Sequence, residues 1–299
     1  MSNKMGNFDL TRPVAIIGAG VMGTKVAWAC ARAGLITELF DIEEGKASGA
    51  KTLALTWSAD AEHHAVKNNL HVAESLEAAL RGAQLGFENV PERLELKQKV
   101  HRQIGALLDD NAYLGSNASS LTCTPLAESS GRASRFFNLN FTDPRYMQLV
   151  ELMTCADTAS ETIVFAKAWA RAIGMIPIWV RKEQLGYSFN RMWRVIKKEA
   201  LRQIAQGYST PQDIDRSWML SFGVEQGPCG LMDEVGLHSI LSIEKVYHQD
   251  SNDPTDRAPD FLVEMVERGE TGLPAGKGFY TYPNPEYRQP DFLVRDADD

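Results

Sequence analysis

Cysteine is scarce. Of 299 residues only Cys30, Cys123, Cys155 and Cys229 carry thiols, and they stand far apart in the sequence, with no C-x-x-C and no neighbouring histidine at ligand spacing. The pattern argues against a disulfide framework and against any metal site, and for reduced thiols in a reducing compartment. Long apolar runs are missing as well. Nowhere do eighteen apolar residues follow one another, and residues 1–12 are polar with no apolar core. Neither a membrane span nor a secretory leader is expected, so the cytoplasm is the default location. There is no excess of positive charge, since 31 Lys and Arg against 39 Asp and Glu leave a formal net charge of -8. That balance argues against nucleic acid as a partner, because phosphate binding is dominated by clustered cations. Internal repeats and low-complexity tracts are likewise lacking. A hydrophobic content of 44% and a charged content of 23% are ordinary for a soluble globular chain long enough for one large domain or two of usual size.

The most informative stretch that is present is Pro13-Val14-Ala15-Ile16-Ile17-Gly18-Ala19-Gly20-Val21-Met22-Gly23. Four apolar, mostly β-branched residues run into G-x-G-x-x-G, and an Ala-rich, helix-compatible segment follows, so strand, tight turn and helix start come in that order. Gly18 permits the turn, Gly20 lets backbone approach a pyrophosphate, and Gly23 allows the helix to pack closely on the strand. Phosphates would rest on the helix N-terminus, where Val21 and Met22 begin it and unpaired N–H groups favour negative charge. A second strand over 36–41 ends in Asp41, 18 residues beyond Gly23. A carboxylate there accepts from the ribose hydroxyls and repels a 2′-phosphate, which predicts NAD as cofactor in preference to NADP.

Beyond Asp41 the pattern predicts a helical segment over 43–68, a short strand at 70–72, a helix at 73–80 and a buried strand at 84–90. A helix over 92–108 presents Leu94, Leu96, Val100, Ile104 and Leu107 as its apolar face. A strand at 113–117 leads to a serine-rich turn whose Ser119 and Ser120 could cap the next helix. Strands at 135–141 and 148–153 bracket a turn, and a helix at 161–173 and a strand at 176–180 complete this half. Alternation of this kind means an α/β fold with a doubly wound, mainly parallel sheet of Rossmann type. After Lys182 the texture becomes helical, over 189–206, 211–222, 230–247 and 258–268, with a loop at 249–256 and one late strand at 278–282. The expected division is a dinucleotide-binding domain at 1–183 followed by a smaller all-α domain at 184–299, with residues 295–299 frayed.

Several blocks together resemble the short-chain L-3-hydroxyacyl-CoA dehydrogenase family, including its relatives that act on free hydroxy acids, such as the L-gulonate and carnitine dehydrogenases. They are residues 14–41, 88–97, 116–120, 135–151, 186–191, the Gly227-Pro228-Cys229-Gly230-Leu231-Met232-Asp233 segment continuing to Leu237, and Gly276-Lys277-Gly278-Phe279-Tyr280, in family order over nearly the whole chain. The resemblance implies NAD-dependent oxidoreductase activity on a 3-hydroxy acid or acyl thioester and a homodimer made through the helical half. Residue by residue, it assigns Glu92 and Lys97 to the nicotinamide end, places Asn117 beside the cofactor and makes Ser119 a substrate contact. Asn190 matches an active-site asparagine, and Glu151 matches the acid that orients the catalytic histidine. The lesser alternative for Glu151 is a solvated acid on an edge strand, since Leu149 and Val150 leave either orientation open.

Where the family has Leu-His-Phe-Phe-Asn-Pro, this chain has Leu139-Asn140-Phe141-Thr142-Asp143-Pro144, so Asn140 occupies the histidine position. An amide does not titrate near neutrality and cannot serve as the base that alcohol oxidation requires. Glu151, directly or through a water, is the expected substitute. His238 is a lesser candidate, and His63, His64, His71 and His101 read as solvated. The segment after Asp41 is also short for a coenzyme A arm and carries few cations, namely Lys46, Lys51 and Lys67. A small free hydroxy acid is favoured, its carboxylate bound by Arg145 or Arg191. Asn140 leaves two alternatives open: an NAD-binding regulatory subunit without dehydrogenase activity, or a different reaction on the same scaffold.

Overall fold

The computed structural model describes residues 4–5 and 7–294, so the terminal stretch at 295–299 lies outside the described residues. The chain divides into two compact units, Met1–Phe189 and Asn190–Asp299.

The first unit opens with a two-stranded hairpin, β1 (Lys4–Met5) and β2 (Phe8–Asp9). Its main body is an eight-stranded sheet. In chain order this comprises β3 (Val14–Ile17), α1 (Val21–Arg32), β4 (Thr37–Phe40), α2 (Lys46–Thr56), α3 (Asp60–Asn69), β5 (Leu70–Val72), α4 (Leu76–Leu80) and β6 (Leu85–Glu88). Then come α5 (Leu94–Leu107), β7 (Tyr113–Ser116), α6 (Thr124–Ser129), β8 (Phe136–Phe141), β9 (Leu149–Met153), α7 (Ser160–Ala172) and β10 (Ile176–Val180). Spatially the order is β10-β9-β8-β7-β6-β3-β4-β5. From β5 to β8 this is the six-stranded doubly wound arrangement, all parallel, with its switch point between β3 and β6. The pair β9–β10 runs the other way, β8 and β9 being antiparallel. Consequently the ends of β3, β6, β7 and β8 and the beginning of β9 lie along one sheet edge. Strands β3, β6, β7 and β8 are buried along their whole length, as expected for a sheet covered by helices on both faces.

Three expectations for this unit need correction. The helical segment after Asp41 is broken into α2 and α3 around Trp57. Helix α5 does not bury the predicted leucines: Leu94 and Leu107 are exposed, whereas Lys97, His101 and Ile104 face inward. The hydrophobic pattern was misleading because the inward polar groups find partners (below). Ser119 and Ser120 do not cap α6, whose N-cap is Cys123 without a side-chain hydrogen bond.

The second unit is helical: α8 (Phe189–Ala205), α9 (Pro211–Phe222), α10 (Pro228–Val235), α11 (Leu237–Ser251) and α12 (Asp260–Glu267). The helix expected at 230–247 is in fact two, separated at Gly236, whose φ of +91° ends α10. The expected loop at 249–256 is partly the last turn of α11 and partly a 3-10 turn. No strand forms at 278–282, only isolated bridges at Lys277. Its backbone is tied instead to buried acids. Asp233 accepts from the N–H groups of Phe279 and Tyr280 and from Tyr282 Oη, and Asp215 accepts from Tyr280 Oη and from the N–H groups of Cys229 and Gly230. A Cβ on Gly278 would stand 2.1 Å from Asp233 Oδ1. The Gly-rich blocks of this half therefore hold the fold.

Candidate active site

The turn after β3 is built by backbone contact. Gly18 has φ +100°, and a Cβ there would lie 2.9 Å from the carbonyl of Asn89, the residue just past β6. At Gly23 a Cβ would come within 1.8 Å of the Gly18 carbonyl oxygen. Gly20 differs: nothing lies within 4 Å of where its Cβ would be. That open space fronts the N-terminus of α1, which has neither a side-chain cap nor an acid in its first turn. Val21, exposed, and Met22 supply the first N–H groups. Oδ2 of Asp41, at the end of β4, accepts from Ala19 N at 2.7 Å, and Oδ1 accepts from Glu43 N. The acid is thereby fixed beside the turn. These residues fit a dinucleotide: an anion-seeking helix end with room for a pyrophosphate, and a fixed carboxylate for the ribose.

Along the same edge, β6 ends in a buried charge cluster. Glu88 is fully buried and accepts from Lys97 Nζ at 2.8 and 3.2 Å, His101 Nε2 at 2.9 Å and Ser116 Oγ at 2.7 Å, and from Val90 N. Burial opposes its charge, but the His101 and Lys97 contacts outweigh that and hold the carboxyl below the usual range. His101 is thus a buried partner, not the solvated residue expected. Its sequence signal was the i, i+4 spacing from Lys97, which puts both on one face of α5. Lys97 is fully buried too, its ammonium shared among Glu88, the Val90 carbonyl and Glu92 at 3.4 Å. Glu92 Oε1 in turn accepts from Ser119 N, Ser120 N and Ser120 Oγ at 2.7–3.0 Å. Lys97 therefore acts on the edge through Glu92, which pins the Ser119 loop and leaves Ser119 exposed.

A chain of amides joins the cofactor turn to the end of β8. Asn117, just after β7, donates to Asn89 Oδ1 at 3.0 Å and accepts from Phe141 N, next to Asn140, at 3.2 Å. Asn89 escaped the sequence reading although it stands inside a matched block. Asn140 lies on β8 directly across from Glu151 on β9. Both are buried, at 6% and 3% exposure. Glu151 Oε1 accepts from the backbone N–H groups of Ser188 and Phe189 at 2.9 and 3.0 Å. Glu151 is therefore no solvated acid. Nearby, Tyr187 adopts φ +53° while fully buried, and its hydroxyl donates to the Ala118 carbonyl at 2.6 Å. Such a conformation costs roughly 1–3 kcal/mol and persists only when its surroundings enforce it.

Between β8 and β9, Asp143 binds Arg145 and, at 2.7 Å, Lys25 of α1. The Arg145 guanidinium also stacks on Trp57 and Tyr146. Asn190, Arg191 and His238 belong to the second unit: Asn190 half-buried in the first turn of α8, Arg191 exposed on the same helix, and His238 exposed at the start of α11. No cluster of His, Cys, Asp and Glu able to hold a metal occurs among the described residues, and no described helix is long and apolar enough to cross a membrane.

A doubly wound sheet with a glycine turn at its switch point and an acid after the second strand defines a dinucleotide-dependent enzyme class. Comparison with known proteins specifies which. The NAD binding domain of 3-hydroxyacyl-CoA dehydrogenase matches residues 13–184, and the C-terminal domain of the same enzymes matches residues 186–282. The chain belongs to the 3-hydroxyacyl-CoA dehydrogenase family and is an NAD-dependent oxidoreductase. A probable 3-hydroxybutyryl-CoA dehydrogenase of Deinococcus radiodurans is 30% identical over 89% of this chain and 99% of its own. The 5-formyl-3-hydroxy-2-methylpyridine 4-carboxylate 5-dehydrogenase of Mesorhizobium japonicum is 26% identical over 91% of each. Among solved structures, (S)-3-hydroxybutyryl-CoA dehydrogenase from Ralstonia eutropha superposes with a TM-score of 0.84 at 29% identity, covering 92% of this chain and 100% of that one.

Proposed function

We propose that the protein interconverts a small 3-hydroxy acid, not esterified to coenzyme A, with its 3-oxo form. The carrying observation is the pairing of an intact cofactor turn with a buried Asn140–Glu151 couple in place of a histidine-based one. NAD, when bound, supplies the hydride acceptor. Gly20, Val21, Met22 and Gly23 hold its phosphates, Asp41 its ribose, and Glu92 and Asn117 order the loops at the nicotinamide end. Asn140 and Ser119 hold the substrate oxygen by hydrogen bonds. Glu151 takes the hydroxyl proton through the oxygen opposite the one held by Ser188 and Phe189, directly or through one water.

Coenzyme A is disfavoured by the short α2–α3 pair. Of its cations, Lys46 is engaged by Glu43 and Asp41, leaving little to neutralise several phosphates. The relative named for a pyridine carboxylate supports a free acid. Arg145, in the β8–β9 loop, binds the substrate carboxylate in competition with Asp143. Exposed Met192 and Val195 on α8, with Leu220 and Phe222 on α9, support a homodimer through the second unit.

The test is NADH formation from NAD with a panel of free 3-hydroxy acids and 3-hydroxyacyl-CoA esters. Turnover of a free acid well above any thioester is expected. A preference for thioesters overturns the substrate class, and inertness towards the whole panel favours a binding or regulatory role.

A further inference from the structure

On α5 the inward face carries a histidine with one nitrogen unused. His101 is fully buried, and its Nδ1 has no hydrogen-bond partner. A buried N–H pointing there would be left unmade at a cost, so the ring hydrogen belongs on Nε2. That nitrogen stands 2.9 Å from Glu88 Oε2, an oxygen of a carboxylate held ionised, which only accepts. An edge contact with the Phe136 ring, centroids 5.1 Å apart, fixes the plane. His101 is thus a donor aimed at one oxygen.

Glu88 divides its two oxygens between different partners. Oε1 takes Lys97 Nζ at 2.8 Å and Val90 N, while Oε2 takes His101 Nε2 and, at 2.7 Å, Ser116 Oγ, with Lys97 farther off at 3.2 Å. Because Oε2 is supplied from the other side, the ammonium rests towards Oε1. From there it also reaches the Val90 carbonyl at 3.1 Å and Glu92 Oε2 at 3.4 Å. The contact with Glu92 is the longest of these and the first to be lost if Glu88 draws Lys97 inward. Beyond it, Glu92 Oε1 carries Ser119 N, Ser120 N and Ser120 Oγ.

We propose that His101 and Glu88 are positioning residues for Ser119, acting through Lys97 and Glu92. The His101 N–H occupies Glu88 Oε2 and so leaves the Lys97 ammonium shared between two carboxylates. Its pull on Glu92 Oε2 turns Oε1 towards the serine amides. Without that N–H, an ionised oxygen in a buried site is short of a donor, an expensive state that Lys97 relieves by closing on it. Glu92 then loses its cation, turns to solvent and releases the loop. Being fully buried, neither His101 nor Glu88 meets substrate. The consequence for catalysis rests on the reading of Ser119 as a substrate contact.

His101→Phe keeps a ring beside Phe136 but has no N–H, whereas His101→Gln places an amide N–H as many bonds from the backbone as Nε2. Glu92→Gln, at an exposed position, cuts the link to Lys97 and leaves the buried cluster alone. Each is compared with wild type by hydrogen–deuterium exchange over 117–122 and by steady-state kinetics. Exchange at Ser119 and Ser120 should quicken about tenfold in His101→Phe and Glu92→Gln and stay near wild type in His101→Gln. KM for the best hydroxy acid should rise about two- to tenfold in the same two variants, the range for one lost hydrogen bond, and recover in His101→Gln. A role in stability alone would lower kcat through the folded fraction and leave KM unchanged. Wild-type exchange in folded His101→Phe overturns the relay, as does a loss that His101→Gln shares. If His101→Phe does not fold, unaltered exchange in Glu92→Gln overturns it by itself. Faster exchange and rescue with KM unmoved leave the relay standing and remove Ser119 from the substrate site instead.

Discussion

At the β3–α1 turn backbone meets backbone, whereas at the β8–β9 pair the contacts are between side chains and the N–H groups of a following segment. Gly23 has no room for one carbon because the Gly18 carbonyl occupies it. Asn140 faces Glu151 across two strands whose hydrogen bonding does not depend on either side chain. The first region tolerates almost no change, so it persists while chemistry diverges. The second can accept a change of residue type without loss of fold, and it is there that the proposed function places the proton acceptor.

The severest way to break this contrast is Gly23→Ala. The methyl must displace backbone, and the cost should exceed the ~1–3 kcal/mol of ordinary overpacking. Thermal unfolding should show a large fall or no folded protein. Gly20→Ala is the control, since its methyl enters open space: Tm should stay within a degree or two while NADH affinity, by fluorescence titration, drops about tenfold, roughly 1.4 kcal/mol. Equal losses of stability in the two variants would contradict the assignment of separate roles.

At the other region, Glu151→Gln keeps an oxygen able to accept from Ser188 and Phe189, so stability and NADH binding should survive. Turnover should fall by ~10²–10⁴ if the proton goes to Glu151. Undiminished turnover removes it from the mechanism. Asn140→His is the converse test, expected to raise turnover on the best substrate by at least tenfold, with a new pH dependence near ~6.5 from the imidazole. A variant no faster than wild type would show that more than a missing base separates this site from a histidine-based one.

The same contrast explains what the sequence disclosed. Strand boundaries from 14 to 180 were legible because period and glycine placement are local, and Gly18, Gly20 and Gly23 could be assigned on steric grounds. The inward face of α5 was not. Its pattern favoured Leu94 and Leu107, but Lys97 and His101 can be buried because Glu88, at the end of the preceding strand β6, cancels their desolvation cost. Such a partner is visible only after folding. The late strand at 278–282 failed for a related reason: its aromatic alternation serves two buried acids, Asp233 accepting from the Phe279 and Tyr280 N–H groups that a neighbouring strand would otherwise take and Asp215 accepting from the Tyr280 hydroxyl.

The smallest expected effect concerns the seam between the two regions, where Lys25 of the cofactor helix binds Asp143 of the β8–β9 loop. Burial works against the Asp143 charge, but Arg145 and Lys25 outweigh it and hold the carboxyl well below the usual carboxylate range. In the unfolded chain an Asp titrates near ~4. A carboxyl depressed by folding contributes stability that is complete above the unfolded value and is lost as pH falls towards the folded one. Asp143 is about one-fifth exposed, so solvent screening limits the contribution to ~1 kcal/mol. Urea unfolding of wild type and Asp143→Asn should therefore differ by about that much at pH 7 and by progressively less below pH ~4. A gap that stays constant from pH 7 to pH 3 would mean that the pairing with Lys25 and Arg145 adds no stability, and that the turn and the β8–β9 edge are joined through the Asn89–Asn117 amides instead.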